Sequence, residues 1–314
     1  MLDLKDKKII YELGLNARIT NKALAKKIML SESSTIPRIN RLFEEEILLG
    51  THTLIDNSKM GYQGYRLYFK FFSTTPKEEN EILEWLKNNP SVSVLARCFG
   101  FFDVAVMSWV KERALFDNLI TFLKENFRDK ITNLEISLYC ETYHFNRDYL
   151  FENSPKQRKM IKTGEGKIES YDKLDEKILN LLYDDARKNI IDLSSKLNTP
   201  PRTISYRIKQ LEKKGIIAGY NINLQTKKIG YTYYKLNIIL SKNAKFSDIL
   251  NFAISNKNVI YLDRTIGVYD LQLNIEIKDN EELQKVIEKI KTTFGGIKEL
   301  SWFQIDKYLK IVYI

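Results

Sequence analysis

The sequence repeats itself, and that repetition limits the folds open to it more than any other feature. Shifted by 169 positions, residues 6–62 align with residues 175–231 without a gap. Sixteen of those 57 pairs are identical, where unrelated chains of ordinary composition would share roughly three or four. The identities include Asp6/Asp175, Ile9/Ile178, Leu13/Leu182, Ala17/Ala186, Arg18/Arg187, Leu24/Leu193, Arg38/Arg207, Ile39/Ile208, Leu42/Leu211 and Tyr62/Tyr231. The likeness resumes further on, where Gly100 and Asp103 in CFGFFDVAV match Gly267 and Asp270 in TIGVYDLQL. Each half is therefore one copy of a unit of about 150 residues, a usual domain-scale length. Between the copies, SPKQRKMIKTGEGKIES is polar, basic and holds two glycines, the composition of a linker.

Each copy opens with three short helical patterns. In the second, Leu174, Ile178, Leu181 and Leu182 fall on one stripe. Leu193 and Leu197 then lie four apart, on one side of a short second helix. In TPPRTISYRIKQLEKKG, Thr199 is the expected N-cap and Gly215 the expected stop. Pro200 and Pro201 fall in the first turn, where a missing N–H costs nothing. Ile204, Ile208 and Leu211 supply the buried face. Three helices with a tight turn before the third describe a helix-turn-helix, and the alternation in IIAGYNINL predicts a wing hairpin after it.

The third helix of such a unit enters the major groove. Arg202, Thr203, Ser205, Tyr206, Arg207 and Lys209 are the expected DNA contacts of the second copy, because their cationic and hydroxyl groups suit phosphates and base edges. Ser34, Arg38, Asn40 and Arg41 are their expected counterparts in the first. A structural alternative pairs Arg38 and Arg207 with Asp6 and Asp175. The first copy departs from the second at Pro37, which fits a helix starting near Ser33 or Ser34. Glu44, Glu45 and Glu46 also stand where the second copy has Lys213, Lys214 and Gly215, placing negative charge near the phosphate path. The second head is thus expected to carry most of the DNA affinity.

After each head the strand patterns YRLYFKFF and YYKLNIIL lead into a short helix, a strand pair around Gly-x-x-Asp, a longer helix and a last strand. The order βαββαβ is that of a ferredoxin-like domain. The expected fold class is α+β, with two winged helix-turn-helix heads (1–60 and 171–228). Each is followed by a ferredoxin-like effector or dimerisation domain (61–146 and 229–314), with a linker at 147–170.

LDEKILNLLYDDAR with RTISYRIKQLEKKGIIAGY, and LKDKKIIYELGLNAR with its continuation in the first copy, resemble the head of the prokaryotic Lrp/AsnC (feast/famine) transcriptional regulators. The resemblance runs over nearly the whole chain, twice. It implies a regulator that binds double-stranded DNA and responds to a small effector such as an amino acid. In that family the Gly-x-x-Asp hairpin lies near the effector cleft, which makes Gly100, Asp103, Gly267 and Asp270 candidate effector residues. A plainer reading is that the glycines supply a positive φ and the aspartates close the turn. Because the family dimerises through its effector domains, the duplication implies an intramolecular pseudo-dimer, or a homo-oligomer built through the same domains.

Composition fits this reading. The formal charge is +10, from 50 Lys plus Arg against 40 Asp plus Glu, and a basic excess attracts polyanions. No apolar run approaches the ~20 residues needed to span a bilayer, and MLDLKDKKII is charged where a secretory signal is apolar. A cytoplasmic location with no membrane partner is the expectation. Cys98 and Cys140 read as free thiols, and no metal or cofactor spacing is evident. The catalytic alternative is a sirohaem decarboxylase of the haem pathway, which shares the head-plus-effector architecture. Against it, His52 and His144 are the only histidines and neither stands at a Gly-x-x-Asp hairpin. The chain is therefore expected not to be an enzyme.

Overall fold

The computed structural model describes residues 2–151, 158–294 and 296–312, so residues 152–157 of the expected linker lie outside the described residues. The first copy runs α1 (Leu4–Leu15), α2 (Asn21–Ile28), α3 (Glu32–Glu44), β1 (Leu48–Ile55), β2 (Gln63–Phe71), α4 (Pro76–Asn88), β3 (Val94–Gly100), β4 (Val104–Val110), α5 (Arg113–Phe127) and β5 (Ile131–Phe145). After β6 (Met160–Thr163) comes the second copy. It comprises α6 (Lys173–Tyr183), α7 (Ile190–Leu197), α8 (Pro201–Lys213), β7 (Ile217–Leu224), β8 (Thr232–Leu240), α9 (Phe246–Ser255), β9 (Val259–Gly267), β10 (Leu271–Ile277), α10 (Asn280–Thr293) and β11 (Ile297–Ile311). Among the described residues no helix is long and apolar enough to cross a membrane.

The heads fold as their patterns require. Ile178, Leu182, Leu193, Ile204, Ile208 and Leu211 form the second core, and Ile9, Leu13, Leu24, Ile39 and Leu42 form the first. The tight turns are made by Met29 and Asn198, each in the left-handed region, at φ 57° and 46°. Asparagine accepts that conformation readily. Two helix starts differ from expectation. Pro200 takes the N-cap of α8 and Pro201 its first position, so Thr199 lies outside and its hydroxyl donates to the Leu197 carbonyl. In α3 the cap is Ser31, whose Oγ accepts from the Ser34 N–H at 3.1 Å. The helix therefore begins before Ser33, and Pro37 sits inside it.

Among the described residues no wing hairpin forms within a head. Each head contributes one strand, and β1 pairs antiparallel with β7, Thr51 opposite Ile222 and His52 opposite Asn221. An isolated strand leaves unpaired N–H and C=O groups at its edges, and here each head's strand satisfies the other's. The two heads are one body across this ribbon.

Beyond the heads, the strands join in the order β2-β4-β3-β11-β8-β10-β9-β5-β6, and an additional β2–β5 pairing closes the sheet into a barrel. Each copy contributes four strands in ferredoxin order, and the edge strands β3 and β9 bind the other copy's last strand, β11 and β5 respectively. The alternation of β10 sends Leu271, Leu273, Ile275 and Ile277 to the core beneath α9 and α10. It sends Gln272, Asn274 and Glu276 into the barrel, each at most 2% exposed. The linker is not a free tether either. Its β6 adds to β5, with Thr142 opposite Thr163, and Arg158 forms a buried ion pair with Asp148 at 2.5 Å. β5 likewise runs past Cys140 and takes in His144.

Candidate nucleic-acid interface

In a helix-turn-helix the exposed flank of the third helix is what can reach a duplex. On α8, Arg202, Tyr206, Lys209 and Lys213 are all exposed and spaced four, three and four apart, so they form one stripe. Tyr206 is 59% exposed. Among the described residues Arg202, Lys209 and Lys213 make no ion pair, which leaves three cations free for phosphates. Thr203 and Ser205 are half-buried beside them. The same positions on α3 are Ser33, Pro37, Asn40 and Glu44, also exposed. That stripe carries no cation and ends in a carboxylate. Ser34 is exposed too, but its N–H is taken by the Ser31 cap.

The remaining expected DNA residues have other work. Arg207 Nη1 donates to Asp172 at 2.7 Å and lies 3.3 Å from an Asp175 oxygen. Arg38 meets Asp3 at 2.7 Å and Asp6 at 2.8 Å, while Arg41 holds the other Asp6 oxygen at 2.6 Å. The aspartates form the capping boxes of α6 and α1. Asp6 is 1% exposed, and a carboxylate so buried requires cationic partners. These three arginines therefore clamp the third helix to the first, and the structural alternative holds for Arg38 and Arg207.

The stripes are held in fixed relation by a pair of contacts that sequence reading recorded only as identities. Arg18 Nη1 donates to the Ala186 carbonyl at 2.6 Å, and Arg187 Nη1 donates to the Ala17 carbonyl at 2.8 Å. Both pairs obey the 169-residue offset. The heads are thus related by a pseudo-twofold, with reciprocal clamps beside the β1–β7 ribbon. Thr53 adds a hydrogen bond from β1 to the Leu182 carbonyl of α6 at 2.7 Å.

Comparison with known proteins places this geometry. Residues 2–42 match the AsnC-type helix-turn-helix domain, and residues 171–218 match a winged helix-turn-helix DNA-binding domain. An uncharacterized HTH-type transcriptional regulator of Pyrococcus furiosus is 30% identical over 124 residues, which is 40% of this chain and 84% of that protein. The HTH-type transcriptional regulator Ptr1 of Methanocaldococcus jannaschii is 32% identical over 120 residues, 38% of this chain and 81% of its own length. The chain belongs to the Lrp/AsnC family of DNA-binding helix-turn-helix transcriptional regulators. Each relative is matched along most of its length by less than half of this chain, as a fused pair requires. Among solved structures, the siroheme decarboxylase NirDL aligns over 99% of this chain and 93% of its own, with TM-score 0.64 and 12% identity. At that identity the likeness is one of fold, and it extends to the tandem arrangement.

The Gly-x-x-Asp hairpins of this Lrp/AsnC chain make structural contacts. Asp103 accepts from the Phe71 N–H at 2.9 Å and Asp270 from the Leu240 N–H at 2.7 Å, tying each hairpin to the neighbouring strand. Gly100 and Gly267 have φ of 116° and 140°. A Cβ on Gly267 would stand 2.6 Å from the Ile136 carbonyl oxygen, and one on Gly100 3.2 Å from that of Trp302. The two glycines thus let one copy's strand approach the other's closely, while the two aspartates hold each hairpin to a strand of its own copy. What the sequence did not reveal is the polar barrel interior. There Arg66 meets Asp263 at 2.7 Å, and Lys235, the repeat-mate of Arg66, approaches the same carboxylate at 3.7 Å. Burial pushes Lys235 down to about 7. It also pushes His52 and His144 down to about 4, so both imidazoles are neutral at pH 7.

Proposed function

We propose that this chain is a covalent pseudo-dimer that engages double-stranded DNA chiefly through α8, with the first head as a weak or differently reading partner. The observation that carries this reading is the contrast between the two stripes. Arg202, Tyr206, Lys209 and Lys213 on one helix correspond to Ser33, Pro37, Asn40 and Glu44 on the other. Three free cations make phosphate contacts and release counterions, whereas the other stripe offers none. Two dissimilar heads on one rigid body favour an asymmetric operator over a palindrome. Pairing within the chain gives each fused unit its partner without a second chain.

The function needs no chemistry from the chain, and we infer that it is not an enzyme. The likeness to NirDL supplies the competing reading. Against it stand two buried, neutral histidines. Tyr68, Phe102, Tyr269 and Phe303 also form a buried cluster, each at most 2% exposed. Selection of bound duplexes from a random library, repeated with Arg202→Ala/Lys209→Ala, tests the regulator. A defined asymmetric site that disappears in the variant is the expected result. Recovery of a palindrome, or an absorbance change on adding sirohaem with no duplex selected, would overturn it.

A further inference from the structure

The pseudo-twofold makes each junction between a head and the opposite barrel half a control for the other. At the first junction α6 of the second head meets the end of β4. There Lys111 lies over Tyr62 at 4.7 Å, donates to the Tyr171 hydroxyl at 2.6 Å and faces the Glu176 carboxylate at 4.0 Å. The cation has an aromatic face, a hydroxyl and a counter-charge.

At the second junction the cation and its aromatic face recur, but Leu2 stands at the position of Tyr171 and the counter-charge is reversed. Lys278 is the repeat-mate of Lys111 and lies over Tyr231, the mate of Tyr62, at 5.7 Å. The position of Glu176, however, is held by Lys7 on α1. A pocket of about 150 Å³ opens here, lined by Lys7, Lys278 and a third lysine, Lys257, with Glu282 as the acidic residue of its wall. Glu282 Oε2 already accepts from the Lys278 backbone N–H at 3.0 Å. Among the described residues none of the three lysines makes an ion pair. Glu276, close behind, is bound by Arg147 at 2.9 Å and by Tyr149. Three lysines thus line one concave site with a single carboxylate in its wall, and like charges gathered in a half-enclosed space raise the local affinity for an anion.

We propose that this pocket binds a small dianion, a metabolite bearing a phosphate or two carboxylates, which supplies the counter-charge that Glu176 provides at the other junction. The volume suits such a group with a few carbons and excludes a polymer strand. A bound dianion bridges α1 to the barrel half of the second copy and so sets the position of the first head. That regulatory consequence rests on the DNA-binding reading; the site itself does not.

Calorimetric titration of the full chain without DNA, at fixed ionic strength, tests the site alone. Inorganic phosphate and succinate serve as separate arms, with acetate as the monoanion control. Saturable binding of a dianion, tighter than acetate, is expected, and the stronger arm identifies the headgroup. Lys7→Glu restores at this junction the Lys–Glu pairing that the other already has, so the fold is retained and binding falls by about ten-fold or more. Lys257→Met weakens binding in the same direction, while Lys111→Met leaves it unchanged. Absence of saturable binding by either dianion overturns the proposal. So does parent-like binding by both Lys7→Glu and Lys257→Met. Dianion binding in a chain that ignores duplex DNA would leave the site standing and remove only its regulatory meaning.

Discussion

At the residue scale, the cationic side chains of α8 divide into two tasks. Arg207 spends its charge on Asp172 and Asp175, whereas Lys209, two positions on, leaves its own free. Arg207→Ala is expected to lower stability by about 1 kcal/mol, a figure that allows for solvent screening of its exposed guanidinium. The salt dependence of duplex binding should be unchanged in that variant. Lys209→Ala should do the reverse, leaving denaturant unfolding unaltered while reducing the slope of log K against log salt by about 0.9. A slope change in Arg207→Ala matching that of Lys209→Ala would contradict this division. The histidines give a pH test. Their folded pKa of about 4 lies below the ordinary value of 6.5, so below 6.5 the unfolded chain binds more protons than the folded one. Stability is then fully present above pH 6.5 and is lost as pH falls toward 4, by roughly 3 kcal/mol per histidine. Urea unfolding between pH 7 and pH 4.5 measures this loss, and His144→Gln should make it shallower. An identical profile in the variant would refute the assignment.

At the element scale, the barrel depends on two hairpin glycines that let backbones touch. Gly267→Ala should destabilise by about 2 kcal/mol or more, because the φ of 140° and the nearby Ile136 carbonyl both oppose a Cβ. Gly230→Ala has a φ of 80° but nothing within 4 Å, and should cost only about 1 kcal/mol. Thermal unfolding compares them, and equal losses would mean that the close approach carries no weight. Elements of this kind mark the limit of what the sequence made legible. Helix stripes such as Ile204, Ile208 and Leu211 could be read directly, because periodicity reports which side is buried. The partner of a strand could not be, since IIAGYNINL alternates in the same way whether it folds back on itself or pairs across heads. The polar face of LQLNIEI resembles a solvent face in sequence, yet Gln272, Asn274 and Glu276 are buried. Their partners are distant in sequence, as with Arg66 and Gln272, Tyr233 and Asn274, or Arg147 and Glu276, and no local window contains both. The arginine clamps were half-legible. The offset of 169 exposed Arg18/Arg187 and Arg38/Arg207 as repeated positions, but repetition alone does not separate a DNA contact from an internal one.

At the scale of the whole molecule, duplication has relaxed a symmetry that a homodimer must keep. A twofold dimer of identical chains presents the same third helix twice. Fusion allows each copy to change alone. One third-helix stripe carries cations while the other has none, and one head–barrel junction has a Lys–Glu pair where the other gathers lysines. The shared ribbon of β1 and β7, the reciprocal Arg18 and Arg187 clamps and the closed barrel hold these unlike halves in register. Differences between the copies thus become differences between the two ends of one binding surface.

Fluorescence anisotropy on a labelled duplex, titrated from about 50 to 200 mM salt, tests the unequal roles of the heads most directly. The chain should bind duplex with a marked salt dependence. Arg202→Ala/Lys209→Ala should bind about ten-fold or more weakly with a shallower slope, and Asn40→Ala should stay near the parent. The opposite ranking, with α3 variants losing more than α8 variants, or no preference for duplex even at the lowest salt, would contradict it.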